Sequence, residues 1–150
     1  MFIETIKATG ELQVVLKDSE GNIKDSREIN NLVVAVGKDY ITDRMQSNLS
    51  PVMSHMAIGV ANVAASTSQT LLLGENARVV LDSNTITNNT LTYIATFPAG
   101  VPSGGATIAE AGIFNNATAN TGSMLCRTRF NEVNKGNADV VVITWNVTIQ

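Results

Sequence analysis

Apolar and polar side chains alternate most regularly near the end of the chain, in residues 139–150. Val141, Ile143 and Trp145 fall on one face of an extended backbone there, and Thr144 falls on the other. A period of two residues is typical of a β-strand with one buried face. The pattern therefore predicts a strand whose apolar face, with the single tryptophan, lies in the core.

Two further strand-like runs, residues 108–114 and 124–130, are separated by a polar connector that contains a glycine. Two such runs around a polar connector are typical of a β-hairpin with a long loop. We expect this hairpin and the last strand to form an antiparallel sheet. Phe114 and Phe130 are then predicted to join Trp145 in the core.

Shorter runs with turn residues between them follow one another at roughly ten-residue intervals, a spacing typical of all-β folds. Residues 38–48 differ, because Tyr40, Ile41, Arg44 and Met45 recur at helical spacing. The sequence predicts one all-β antiparallel domain, a β-sandwich or jelly roll, with one short helix. Strands are predicted at 10–18, 23–29, 52–60, 77–82 and 91–97, a connector at 83–90, and loops at 61–74 and 98–105.

The first part of the chain has a weaker apolar face than the rest. Residues 10–18 alternate well, whereas the return run at 23–29 is mostly polar. We therefore predict that residues 1–30 form an N-terminal arm or hairpin at an edge, packed on or exchanged with neighbouring subunits. Residues 31–150 are predicted to form the sandwich, within one globular domain overall.

Composition narrows the function classes. The 150 residues carry a formal net charge of −3, whereas a general nucleic-acid binder needs a basic surface. No apolar segment approaches the roughly 18 residues of a membrane span, and the first residues lack the basic-then-apolar layout of a signal peptide. We expect synthesis in a cytoplasm, with neither nucleic acid nor membrane as a partner.

The residues with reactive side chains do not form a recognisable catalytic set. His55 is the only histidine and alternates with apolar neighbours, which favours a hydrogen-bonded structural role. Cys126, the only cysteine, lies within a predicted strand, where a small buried side chain is favoured over a thiolate nucleophile. The sequence predicts no catalytic residues, no metal site and no cofactor, and hence no enzyme.

The acidic residues are also isolated along the chain. Glu75 and Asp139 stand alone in strand or turn contexts, which favours solvated positions. Glu110 begins an apolar run of the predicted hairpin, opposite a strand that carries two arginines. We expect its carboxylate to form a structural ion pair with Arg127 or Arg129 across that hairpin.

A set of five segments covers most of the chain after residue 30: NLVV (31–34), MSHMAIG (53–59), EAGIF (110–114), MLCRTRF (124–130) and residues 139–145. Taken together in this order, these segments resemble small structural proteins of tailed bacteriophages. The resemblance implies a β-sandwich or jelly-roll building block of a virion that associates with copies of itself, and it carries no catalytic residues.

Within this family we expect a capsid decoration (cement) protein on the virion surface. It would bind the major capsid protein as a dimer or trimer and stabilise the shell. Phe2, Ile3 and Ile6 are the candidate shell or subunit contacts, and the loops at 61–74 and 98–105 are the second choice. The alternatives are a tail, neck or fibre-attachment protein and, from a different class, a carbohydrate-binding module for host adsorption.

Overall fold

The computed structural model describes residues 3–150, and 51% of the chain is in strands. The prediction of an all-β fold with one short helix is thus confirmed. The elements are β1 (Ala8–Lys17), β2 (Ile23–Val33), α1 (Ala35–Gln46), β3 (His55–Gly59), β4 (Glu75–Val80), β5 (Ser83–Thr87), β6 (Thr90–Phe97), β7 (Ala106–Phe114), β8 (Met124–Lys135) and β9 (Val140–Ile149).

The nine strands form one antiparallel sheet in the order β4-β3-β7-β8-β2-β1-β9-β6-β5. The sheet is curled into a half-barrel. β2 and β8 pair only through Leu32 with Arg127 and Val33 with Cys126, which makes this the shortest pairing in the sheet. A single curled sheet does not establish the two layers of a sandwich or jelly roll, so that part of the fold stays a prediction.

The N-terminal hairpin does not lie at an edge of this sheet. β1 is hydrogen-bonded along its length to β2 on one side and to β9 on the other. The reason is its apolar face, because Leu12, Val14 and Leu16 are all buried in the main core. Exchange of the hairpin between subunits stays a prediction.

The two edge strands, β4 and β5, are consecutive in the chain and are joined by only two residues. The Leu81 amide donates to the Ser54 carbonyl, next to β3, at 2.9 Å, and the Asp82 amide donates to the Ile94 carbonyl of β6 at 2.7 Å. The short link therefore holds the two edges of the curled sheet close together.

The main core lies inside the curl and contains side chains from both halves of the strand order, including Phe130 and Trp145. A smaller cluster with Phe114 and Leu72 lies on the other face of β3, β7 and β8. These strands are therefore buried on both faces at residues 56–59, 108–114 and 124–128, where residues 60–74 cover the outer side. Such strands lose the alternation of buried and exposed positions.

Two elements differ from the sequence prediction. Residues 83–90 were expected to be a connector, but Ser83–Thr87 is an edge strand. The hydrophobic pattern could not predict this strand, because four of its five residues are exposed and an exposed edge strand needs no apolar face. The helix starts three residues early, at Ala35, and Gly37 allows it to approach β8, since a Cβ there would overlap the Leu125 carbonyl.

Candidate functional site

A buried ion pair lies on the outer face of β7 and β8. The Arg127 Nη2 atom lies 2.8 Å from Glu110 Oε2, and Arg127 Nε donates to the same oxygen at 3.1 Å. Both side chains are completely buried. Arg127 is opposite Gly112 in the strand register and reaches Glu110 diagonally across the two strands.

The ion pair organises the loop at residues 60–74. The amides of Leu73 and Gly74 donate to the Glu110 carboxylate at 3.1 and 2.6 Å. Arg127 donates to the Val63 carbonyl and to Gln69 Oε1, both at 3.0 Å. Each charged group therefore binds the loop as well as its partner, which satisfies the buried polar atoms.

Arg129, the other candidate partner, is not in the ion pair. It lies directly opposite Glu110 in the register, yet its side chain is exposed and its Nε donates to Asn62 Oδ1. The two arginines thus bind the same loop at different points. Sequence alternation places both on one face but cannot decide which of them is covered.

A second buried ion pair joins Glu75 and Arg78 of β4, at 2.7 and 2.8 Å. The Arg78 guanidinium lies 3.8 Å from the centre of the Phe114 ring and donates to the carbonyls of Asn116 and Thr121. This pair holds the connector between β7 and β8. The expectation of a solvated Glu75 was therefore wrong.

The sequence could not reveal this pair because residues three apart in a regular strand point to opposite faces. A bulge changes the geometry: Ile58 of β3 pairs with Ala77, but the next residue, Gly59, pairs with Glu75. Asn76 is the extra residue, and it brings the side chains of Glu75 and Arg78 to the same side.

Asp139 is also buried, contrary to the expectation of a solvated position. Its carboxylate accepts from Lys24 Nζ at 2.9 Å and from the Gly136 amide at 2.8 Å, and these bonds, the Lys24 bond first, lower the pKa of Asp139. Nearby, the buried Lys135 Nζ donates to the carbonyls of Asp139 and Pro98. The predicted loop at 98–105 is held from this side.

The surroundings of His55 and Cys126 favour structural roles for both side chains. The Oγ of Ser54 lies 2.8 Å from His55 Nδ1, and burial, with the charge of Arg78 second, lowers the pKa of His55. Burial raises the pKa of the Cys126 thiol to about 12, which keeps it protonated. Among residues 3–150, no three His, Cys, Asp or Glu side chains are close enough to hold a metal ion.

The candidate contact residues at the start of the chain are exposed where the structure describes them. Ile3 is 81% and Ile6 is 71% exposed, and Phe2 lies outside the described residues. The segment is anchored at Lys7, which exchanges two 2.7 Å backbone hydrogen bonds with Gln150. It therefore leaves the sheet beside the end of β9.

An apolar groove opens beside the same end of β9. It has a volume of about 560 Å³ and lies between α1 and the turn that joins β5 to β6. Among its lining residues Met45, Val52 and Ile86 are large exposed apolar side chains. Of the described residues that line it, Arg44 alone is charged.

Comparison with known proteins finds no matching family model, no similar curated protein and no similar solved structure. The described residues include no helix with the length and apolar character of a membrane span.

Proposed function

We propose that this protein is a non-enzymatic structural component of a tailed-phage virion. In the specific form of the proposal it is a capsid decoration protein, made in the host cytoplasm, that binds the major capsid protein and copies of itself. The observation that carries the proposal is the exposure of two large apolar side chains, Ile3 and Ile6, in one short segment beside a buried core. Apolar side chains left in water beside a stable core favour a partner surface.

The environment of the buried charges supports a structural role. Catalytic carboxylates and bases need access to a substrate, whereas Glu110 and Arg127 are completely buried and bonded to each other and to the loop above them. Glu75 and Arg78 are bonded to the next connector in the same way. These charged side chains therefore hold loops of their own chain in place through hydrogen bonds.

We infer further that the chain is a sandwich- or jelly-roll-like building block. Side chains of β3, β7 and β8 meet side chains of β1, β6 and β9 in one core, which is how two facing layers pack. Strong loop anchoring would keep the outer surfaces fixed for contacts in a lattice. A sugar-binding role gains no support, because Tyr93, Phe97 and Trp145 are buried.

The proposal is tested by the copy number of the chain in a virion. Purified virions are separated into heads and tails, and the chain is counted in each fraction by quantitative mass spectrometry. Hundreds of copies on heads support a decoration protein. A few to a few dozen copies on tails support the tail, neck or fibre-attachment alternative, and absence from both fractions contradicts the proposal.

Variants then test the contact residues. Ile3→Asp with Ile6→Asp should abolish binding to shells that lack the protein, whether these side chains contact the shell or a neighbouring subunit, because two apolar contacts would become charged. Ile23→Asp is the matched control, since Ile23 is also exposed (66%) but lies at the start of β2. Equal binding by both variants would show that the N-terminal segment does not contact the shell.

A further inference from the structure

The N-terminal segment and the apolar groove lie at the same end of the molecule. Lys7 and Gln150 exchange backbone hydrogen bonds, and Ile149, which precedes Gln150, lines the groove. The groove has the size of a typical ligand pocket. Its exposed apolar lining should therefore bind an apolar segment of chain.

The segment does not occupy the groove of its own chain, because Ile3 and Ile6 are both largely exposed. Residues 3–6 reach roughly 13 Å from Lys7 when extended. A second copy placed about a two-fold axis near Ile149 would bring each segment to the other copy's groove. Such an arrangement is closed and uses the same two surfaces twice.

Charge favours the same occupant. Glu4 lies between Ile3 and Ile6 in the sequence and is exposed. Arg44 is the charged residue of the groove, and the four ion pairs of residues 3–150 do not include it. Its Nη1 donates to the Ser50 carbonyl at 2.9 Å, which holds the guanidinium at the groove while leaving other donors available.

We propose that the N-terminal segment of one copy binds in the apolar groove of a second copy, with Ile3 and Ile6 on the apolar lining and Glu4 paired with Arg44. The inference rests on the self-association that is part of the proposed function. It does not depend on where in a virion the protein is located.

The test is the oligomeric state of the purified full-length protein, measured by sedimentation equilibrium over a range of concentrations. The wild-type chain should be a dimer. Ile3→Asp with Ile6→Asp, on the segment, and Ile86→Asp, in the groove, should each weaken dimerisation on the order of 100-fold. Ile23→Asp should leave it unchanged, and thermal unfolding should show that every variant is folded.

A charge exchange gives the sharper result. Glu4→Arg and Arg44→Glu should each weaken the dimer, and the two together in one chain should restore it, because the ion pair is re-formed with its sign reversed. Glu4→Arg mixed with Arg44→Glu should likewise form a heterodimer more readily than either forms a homodimer. If Arg44→Glu disturbs the helix end, Glu4→Arg alone, which leaves the groove unchanged, should still weaken the dimer.

Three results would overturn the inference: a wild-type monomer at every concentration, a dimer that survives both apolar variants, or a dimer that depends on the segment but not on Ile86. The last result would mean that the segment binds another surface. A monomer in solution that is still abundant on heads would contradict the self-association but leave the virion location and the binding to the major capsid protein standing, so the two proposals can be distinguished.

Discussion

The outer face of β7 and β8 differs from the groove beside α1 in what covers it. The first is covered by residues 60–74 of the same chain, which are held by two completely buried charges, Glu110 and Arg127. The second leaves Met45 and Ile86 in water, at 78% and 74% exposure. Polar groups are inside in one region and apolar groups are outside in the other.

The contrast separates folding from binding. A buried charge is stable only when it is paired and hydrogen-bonded, so the covered face must be completed by its own chain. Exposed apolar side chains add little to the fold and gain from a partner. Changes at the first region should therefore unfold the protein, whereas changes at the second should affect only what it binds.

The largest expected effect is from Arg127→Met, which leaves the Glu110 carboxylate buried without its partner. We expect the free energy of unfolding in urea to fall by about 3–5 kcal/mol. The double variant with Glu110→Gln should be less destabilised than the single one, because no unpaired charge remains. A loss below about 1 kcal/mol for Arg127→Met would show that the pair behaves like a surface pair.

Arg78→Met should have a smaller effect, about 2–3 kcal/mol, because charge-assisted hydrogen bonds to Glu75 are lost. The connector that Arg78 holds, residues 115–123, should also be cut faster in limited proteolysis. Arg27→Met is the matched control, since Arg27 pairs with Asp25 near the surface. An exposed pair contributes about 0–1 kcal/mol, and equal losses for the two variants would contradict the distinction.

Asp139 predicts a dependence on pH. Its pKa is lowered in the folded protein, so its contribution to stability is complete above its ordinary pKa of 3.8 and is lost as pH falls through the lowered value. Wild type should therefore be more stable than Asp139→Asn at neutral pH, with the difference shrinking below about pH 5. Urea unfolding of both proteins at several pH values measures the difference in their free energies of unfolding. A difference that is constant down to pH 2 would argue against the ion pair of Lys24 and Asp139.

The smallest expected effect is from Ile86→Asp in the groove, which should change the free energy of unfolding of the monomer by about 0.5 kcal/mol or less. The measurement is made at protein concentrations low enough to dissociate the dimer, because dimerisation adds to the apparent stability of the wild type. The comparison is Ile143→Ala in the core, which should cost about 2–5 kcal/mol. Thermal or urea unfolding of both variants checks this. A large loss for Ile86→Asp would mean that the groove belongs to the fold.

The parts of the fold that could be predicted from the sequence are those with one buried face. The alternation of Val141, Ile143 and Trp145 predicted β9 to within a residue of its ends, because one side of that strand faces the core. The strand Ser83–Thr87 could not be found in this way. Its pairing with β6 comes from backbone hydrogen bonds, to which its side chains give no pattern.

The charged cluster was only partly predictable, for a different reason. Glu110 and the two arginines lie on neighbouring strands of one hairpin, with Arg129 directly opposite Glu110 and Arg127 diagonal to it. Local alternation is therefore enough to propose an ion pair between Glu110 and one of the two arginines. The choice between Arg127 and Arg129 depends on Val63 and Gln69, which are distant in sequence. No local pattern contains that information, and the pair of Glu75 and Arg78 depends on a bulge that is equally invisible.

The pairing of Lys7 with Gln150 has a mechanical consequence. β1 and β9 are antiparallel neighbours, so the two ends of the described chain lie side by side at one end of the sheet. A force that pulls these ends apart would load the hydrogen bonds between the strands one at a time, like a zipper. A load applied across the sheet would instead be shared by many bonds, so tension is better borne by the surfaces of this protein than by its ends.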